Sequence, residues 1–232
     1  MAGYRIRRKT TASNFVAVSG TLQLPWAYSN SIDDWVNDTG IFPEFFYNFN
    51  NTAGTVNMDL GLVFRGNNGW HIFAYGANVN NSANWYEAAI SLSPGQIVTV
   101  AVYTEDYMVK LKINDYIYII PTTNGTAAAI RSGCMITREA NLVPQKSSGL
   151  TECWLLQTDA YYIGAVWSQT TLTTTSGTYV KMSAANTSSD YALDSGDPTR
   201  FDANCITHTA STSNGYVADN CTIDFRNRVY CQ

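Results

Sequence analysis

The chain has 232 residues, a mass of 25.6 kDa, a formal net charge of −4 and only 14% charged residues. So low a charge fraction excludes coiled coils and long-helix bundles, which are built from Ala, Glu, Lys, Leu and Arg, and the negative balance argues against nucleic acid as the main partner. With 45% hydrophobic residues the chain can bury a core, which excludes wholesale disorder, and Ser, Thr and Asn at 65 of 232 make its polarity mostly uncharged.

In chain order, Met1 to Thr10 carries Arg5, Arg7, Arg8 and Lys9 and lacks an apolar signal core. Residues 1–12 are read as a solvated basic arm, on a mature chain to which Met1 was added. Residues 55–66, TVNMDLGLVFRG, place Met58, Leu60, Leu62 and Phe64 at alternate positions, the signature of a strand with one apolar face. A turn over 66–69, GNNG, leads into a second strand, WHIFAYG. Ser93, Pro94 and Gly95 make a further turn before the strand QIVTVAVYT. In the next strand Val109, Leu111 and Ile113 alternate with Lys110 and Lys112, so one face meets water. Asn114 and Asp115 then turn the chain into YIYIIP. Ala127 to Ile130 has room for one helical turn.

Short strands joined by turns at this spacing predict an all-β fold, an antiparallel sandwich or barrel. The Thr-rich stretch from residue 170 keeps strand propensity because Thr is β-branched. The sandwich is expected over residues 13–192. Asp190, Asp194, Asp197 and Asp202 mark an acidic loop that leads to a Cys-containing tail. Residues 193–232 are expected to pack on the sandwich or on a neighbouring chain. These aspartates lack calcium-loop spacing.

The five cysteines are Cys134, Cys153, Cys205, Cys221 and Cys231. No C-x-x-C pair occurs and the two histidines, His71 and His208, lie far apart in sequence, so no metal site is expected. Disulfides are the expected use: Cys134 with Cys153, and one pair among the last three, with the odd thiol available to another chain. No P-loop, dinucleotide fingerprint or G-x-S-x-G motif occurs, and no cofactor is expected. No apolar run is long enough for a membrane helix. Few charges, many hydroxyl and amide side chains and six N-x-S/T sequons, at Asn37, Asn50, Asn80, Asn124, Asn186 and Asn220, suit a secreted protein.

Several segments, in order, resemble the eqolisins, the glutamic peptidases. SGTLQLP at Ser19 to Pro25 is similar to that family's opening strand. Trp35, Val36 and Gly40 match its W-V-G-I-D-G segment. Trp85, Tyr86 and Glu87 resemble its W-Y-E motif, Ser93 to Gln96 its S-P-G-D strand, and Thr174 to Thr178 its closing strand. The resemblance covers residues 15–192 and implies a concanavalin-like jelly roll. It also implies a catalytic pair. Gly61 aligns Asp59 with the family's Gln; Trp154 aligns Cys153 with its Glu, which leaves Glu152 one residue away. A single-residue slip turns a strand side chain to the other face, so Glu152 needs a bulge to reach the site.

An aromatic and acidic cluster on a sheet suits a sugar, because aromatic faces stack on pyranose rings and carboxylates accept hydroxyl bonds. Tyr28, Trp35, Trp70, Tyr75, Trp85, Tyr86 and Glu87 are the candidate ligand-binding residues. His71, on the same strand as Trp70 and Tyr75, is read as structural. Three functions follow. The first is a secreted binding module for a carbohydrate or peptide ligand. The second is an acid peptidase with the altered pair Asp59 and Glu152. The third is a structural subunit of a filament, coat or capsid, joined as a homo-oligomer through edge strands or the odd cysteine.

Overall fold

The structure, a computed structural model, describes residues 4–28, 41–81, 83–144, 160–193 and 203–224. Two antiparallel sheets lie face to face. The seven-stranded sheet is built from β1 (Tyr4–Thr10), β4 (Ile41–Asn50), β5 (Asn57–Phe64), β6 (Trp70–Tyr75), β7 (Trp85–Ile90), β11 (Met135–Pro144) and β14 (Thr187–Leu193), in the order β14-β1-β11-β4-β5-β6-β7. The main path of the second sheet uses β2 (Phe15–Gln23), β8 (Ile97–Glu105), β9 (Met108–Ile113), β10 (Tyr116–Ile120), β12 (Tyr161–Thr174), β15 (Ile206–Ser213) and β16 (Tyr216–Asp224), in the order β10-β9-β8-β2-β12-β16-β15. The short strands β3 (Trp26–Tyr28) and β13 (Tyr179–Lys181) add to β12, which gives nine strands. Among the described residues there is one α-helix, α1 (Thr126–Arg131), which lies against β2, β8 and β9. Among the described residues no helix is long and apolar enough to cross a membrane.

Alternation along each strand builds the core. Met58, Leu60 and Leu62 of β5 turn inward with Phe45, Tyr47 and Phe49 of β4. They meet Val98, Val100 and Val102 of β8, Leu111 of β9 and Trp167 of β12 in one cluster. The predicted strands over 55–66, 70–76, 96–104, 107–113 and 116–121 are all found, and α1 occupies the short helical turn.

The N-terminal basic segment is not a free arm. Tyr4–Thr10 is a strand hydrogen-bonded on both sides, to β11 and β14. Alternation splits its cations: Arg5, Arg7 and Lys9 take the outward face, while Ile6 and Arg8 point between the sheets. Buried Arg8 gives Asp219 of β16 two hydrogen bonds, 2.6 and 2.7 Å. Arg138, directly opposite Arg8, reaches the same carboxylate, and His208 Nε2 lies 2.8 Å from it. Burial alone raises the Asp219 pKa, but the Arg8 and His208 hydrogen bonds and the two arginine charges outweigh it and hold the carboxyl far below its ordinary value. This ionic node ties the C-terminal hairpin to the seven-stranded sheet.

That hairpin is part of the sandwich: β15 and β16 extend the nine-stranded sheet. Asp190, expected in the acidic loop, lies on β14, where Arg7 donates to both its oxygens at 2.9 and 3.0 Å. Asp194, Asp197 and Asp202 lie outside the described residues.

The expected disulfides are overturned for every described cysteine. Cys134, Cys205 and Cys221 are buried and none is bonded to another cysteine. Cys134 sits at the Phe15 bridge and Cys221 points into the core of β16, where each serves as a small apolar side chain. Burial pushes the Cys134 thiol up to about 11 and that of Cys221 higher, which keeps both protonated. Cys153 and Cys231 lie outside the described residues.

Candidate functional site

The outward face of the seven-stranded sheet carries the chemistry, and strand register sets it out in rows. One row runs Lys9, Thr137, Asn48, Asp59, Tyr75 and Trp85 across β1, β11, β4, β5, β6 and β7. The next runs Arg7, Glu139, Phe46, Gly61, Phe73 and Glu87. The third runs Arg5, Asn141, Glu44, Val63, His71 and Ala89. Residues from six strands thus share one surface with none of them adjacent in sequence across strands.

Toward β7 the face is aromatic. Trp85 stacks on Phe73 with ring centroids 5.0 Å apart and planes 11° apart, and Tyr75 tilts against Trp85 at 5.8 Å. Phe46 meets Phe73 edge-on. Phe46, Val63 and Phe73 form a small second core on this face, with Phe42 and Trp85 at its margin. Gly61 makes it possible: a Cβ there would stand 2.6 Å from the Phe46 Cβ.

Glu87 anchors this end. Arg65 donates to it twice, at 2.9 and 2.6 Å, Trp85 Nε1 donates at 2.7 Å and His71 Nδ1 lies 2.9 Å away. The Arg65 guanidinium also lies 4.2 Å from the Phe42 ring centre and 5.3 Å from that of Trp85. Charge-assisted bonds from three sides fix the Trp85 ring. They also occupy the carboxylate, so Glu87 positions the aromatic platform.

Toward β11 the face is acidic. Asp59 accepts from Asn48 Nδ2 at 2.7 Å, and the same amide donates to Asn57 at 2.9 Å. Glu139 accepts from Asn141 Nδ2 at 3.0 Å and lies 3.6 Å from Arg5 Nη1. Glu44 and Asp59 have no ion-pair partner among the described residues. Burial pushes Glu44 up to about 8, helped by the Asp59 charge and opposed by Arg65 and Arg5. Burial likewise pushes Asp59 up to about 7 against its Asn48 hydrogen bond, and raises Glu139 against its bonds to Asn141 and the nearby Arg5 and Arg7. Both Glu44 and Asp59 nonetheless keep part of their surface open to solvent. No group of three or more His, Cys, Asp or Glu among the described residues is placed to hold a metal ion.

The sequence-predicted residues divide by face. Tyr75, Trp85 and Glu87 stand together on the outward face with Asp59. Trp70 is 2% exposed in the inter-sheet core, and Tyr86, one residue from Trp85, also packs against that core. Trp35, Glu152 and the side chain of Tyr28 lie outside the described residues. His71 is a partner of Glu87, in keeping with its structural reading. Sequence reasoning missed Glu44, Asn48, Glu139, Asn141 and Arg65. A signal was present for two: in IFPEFFYNFN, Glu44 and Asn48 are the polar members of one face, flanking Phe46 in an otherwise aromatic strand.

No protein-family signature matches the chain, and no curated protein matches it. Among solved structures, LamAcat from Zobellia galactanivorans is similar with 12% identity and TM-score 0.37, over 61% of this chain and 59% of that one. Laminarinase from Flavobacterium sp. UMI-01 has 12% identity and TM-score 0.39, over 63% and 69%. The catalytic domain of an endo-1,3-β-glucanase (laminarinase) from Thermotoga petrophila RKU-1 has 11% identity and TM-score 0.36, over 62% and 67%. The match thus spans less than two thirds of the first of these chains. At such values the fold assignment rests on the strand order and register of this chain.

Proposed function

We propose that this protein is an extracellular carbohydrate-binding β-sandwich and that its outward seven-stranded face is the binding surface. The observation that carries the reading is the row Asn48, Asp59, Tyr75 and Trp85. It sets amide and carboxyl groups beside a fixed aromatic platform whose outer ring, Tyr75, is 36% exposed. A pyranose needs both an apolar plate and hydroxyl partners at one surface. An extracellular setting is supported by the sparse charge and by the exposed sequon residues Asn50, Asn80, Asn124 and Asn220.

The test is sedimentation of the protein with a panel of insoluble polysaccharides. At least one is expected to retain the wild type, and Trp85→Ala and Tyr75→Ala are each expected to weaken retention tenfold or more. Retention unchanged in both variants sinks the assignment. A second reading, a self-associating structural subunit, is favoured by β10. This edge strand exposes Tyr116, Ile117 and Ile119 and contains no Lys or Pro to deter pairing. Sedimentation velocity separates the two readings: a monomer at 100 µM excludes the subunit, and an assembly dispersed by Ile119→Lys supports it.

A further inference from the structure

We infer that two copies of this chain join edge to edge through β10, antiparallel and with a two-fold axis at Ile117, as a closed dimer. The inference is independent of the carbohydrate reading above. It narrows the self-association considered there to one closed pair.

Strand alternation shows which backbone groups are free. Asn114 N donates to Thr99 O at 2.9 Å, so the even-numbered residues along β9 bond to β8, and Val109, Leu111 and Ile113 bond to β10. Their partners there are Ile120, Tyr118 and Tyr116. Ile117 and Ile119 therefore turn their N–H and C=O groups away from β9, toward the outer edge, where no strand pairs with them among the described residues. The same edge runs on to Pro121, whose carbonyl accepts from Asn80 N at 2.9 Å, and Val79 bridges Thr122. Residues 78–80 thus close the edge beyond Ile120, and an added strand has to end short of them.

Of the four strands that end the two sheet orders, β10 is the apolar one. β7 carries Glu87, β14 carries Asp190, and β15, ITHTASTS, is almost wholly polar. β10 reads YIYII, and Tyr116, Ile117 and Ile119 are 67%, 53% and 54% exposed. An edge of this composition invites strand addition.

Register makes a second β10 the fitting occupant. With the axis at Ile117, that residue faces its own copy, Tyr116 faces the partner's Tyr118, and Ile119 faces the partner's Asp115. Outward-pointing groups of Ile117 then meet their own copies, as an antiparallel ladder requires. An axis one residue further on, at Tyr118, would bring the partner's Asp115 to Pro121, where Asn80 already sits. Charge agrees with the first register. Lys110, Ile119 and the partner's Asp115 fall in one row, so a cation and an acid flank the isoleucine. Lys112 stands three strand spacings, about 14 Å, from the partner's Lys112, beyond the screening length of about 8 Å. At whole-residue areas of roughly 200 Å², the exposed parts of Tyr116, Ile117 and Ile119 amount to about 700 Å² over both copies. The strand backbone and the stems of Lys110 and Lys112 bring the interface to the small end of specific ones, about 1,200 Å², and its dissociation constant to the micromolar range. Each copy spends its apolar edge on the other, so the pair is closed.

The experiment is sedimentation velocity of the full chain from about 1 to 100 µM. A monomer–dimer equilibrium with no larger species is expected. Ile117→Lys sets two cations against each other at the axis and is expected to weaken association at least tenfold, with an unchanged urea midpoint because the side chain is exposed. Ile117→Cys reads the register: directly opposed Cα atoms about 5.5 Å apart lie within disulfide range, about 4.4–6.8 Å. Mild oxidation is expected to give a covalent dimer on a non-reducing gel in Ile117→Cys, and neither in Ile119→Cys nor in the wild type. A wild type that stays monomeric at 100 µM overturns the inference together with the subunit reading. Species larger than a dimer overturn the closed pair and leave the subunit reading standing. A dimer untouched by Ile117→Lys, or one trapped through Ile119→Cys and not Ile117→Cys, overturns the pairing at β10.

Discussion

Replacing Glu44 by Gln tests the acidic end of the face without any ligand. Glu44 is ionised above about 4.5 in an unfolded chain but only above about 8 in the folded one. Between these values the native state holds a proton that the unfolded state has lost, so stability is full below pH 4.5 and falls as pH rises through 8. The gap of about 3.5 between these two pKa values is worth about 5 kcal/mol at about 1.4 kcal/mol per pH unit. This is an upper figure, because part of the side chain remains open to water. Asp59, whose carboxyl moves from 3.8 to about 7, adds a loss of the same sign and about 4 kcal/mol at most over a slightly lower window. Urea unfolding followed by tryptophan fluorescence at pH 5, 6, 7, 8 and 9 reads the slope. Wild type is expected to lose several kcal/mol over this range. Glu44→Gln should lose less and be the more stable protein at pH 9, and the double variant with Asp59→Asn should be flatter still. At pH 5, where Glu44 is protonated in the fold, Gln and Glu should be close. The slope must change with m constant, so that compactness is not the cause. Equal slopes in wild type and double variant would falsify the placement of these carboxyls in a poorly solvated setting.

Three further outcomes follow from the same contacts. Trp70→Ala, which empties a core site between the sheets, should cost about 3–5 kcal/mol in urea unfolding; a cost under 1 kcal/mol would place Trp70 elsewhere. Asp219→Ala leaves buried Arg8 and Arg138 facing each other without a carboxylate and should cost about 3–5 kcal/mol at pH 7, with increased protease cleavage of the C-terminal hairpin as a second measure. Gly61→Ala drives a methyl group into Phe46 and should cost about 1–3 kcal/mol; it should also move the Trp85 fluorescence, since Phe46, Phe73 and Trp85 are packed in series.

The strands were legible because each announces itself locally. Alternation over Met58 to Phe64 and over Val109 to Ile113 needs no knowledge of a partner, and both segments lie where the pattern put them. The eqolisin-like segments pointed to an antiparallel sandwich, and of the pair they implied Asp59 stands on the outward face while Glu152 lies outside the described residues. Face assignment was only half legible. Trp85 and Tyr86 cannot both face a ligand from one regular strand, so the Trp-Tyr-Glu triplet divides, with Tyr86 against the core and the other two outward. Trp70 gave no local sign of its face, because His71 beside it is polar but Phe73 is not. The cysteines misled for another reason: spacing alone does not place thiols side by side, and here Cys134 is buried at the bridge to Phe15 while Cys221 is buried on β16, each without a cysteine partner.

The acidic cluster was out of reach of any local pattern. Asp59, Glu44 and Glu139 sit on β5, β4 and β11, and only the register of 48 with 59 and of 46 with 139 brings them to one surface. Their meaning comes from what surrounds them. The arginines and acids of the same face are matched to one another, so the sheet can compensate carboxylates where compensation serves the fold. Glu44 and Asp59 form no ion pair among the described residues, and burial outweighs the pull of Arg5 on both and of Arg65 on Glu44, at a cost to stability that a Gln or an Asn would remove. Substitutions that raise stability are commonly within a single step of natural sequences, and their recurrent cost is lost function where a site needs a destabilised group. Two carboxyls kept protonated near neutral pH can donate a hydrogen bond to an oxygen in a way that a paired carboxylate cannot. That capacity to donate suits a hydroxyl-binding surface, and Glu44→Gln keeps a donor at that position while removing the titration.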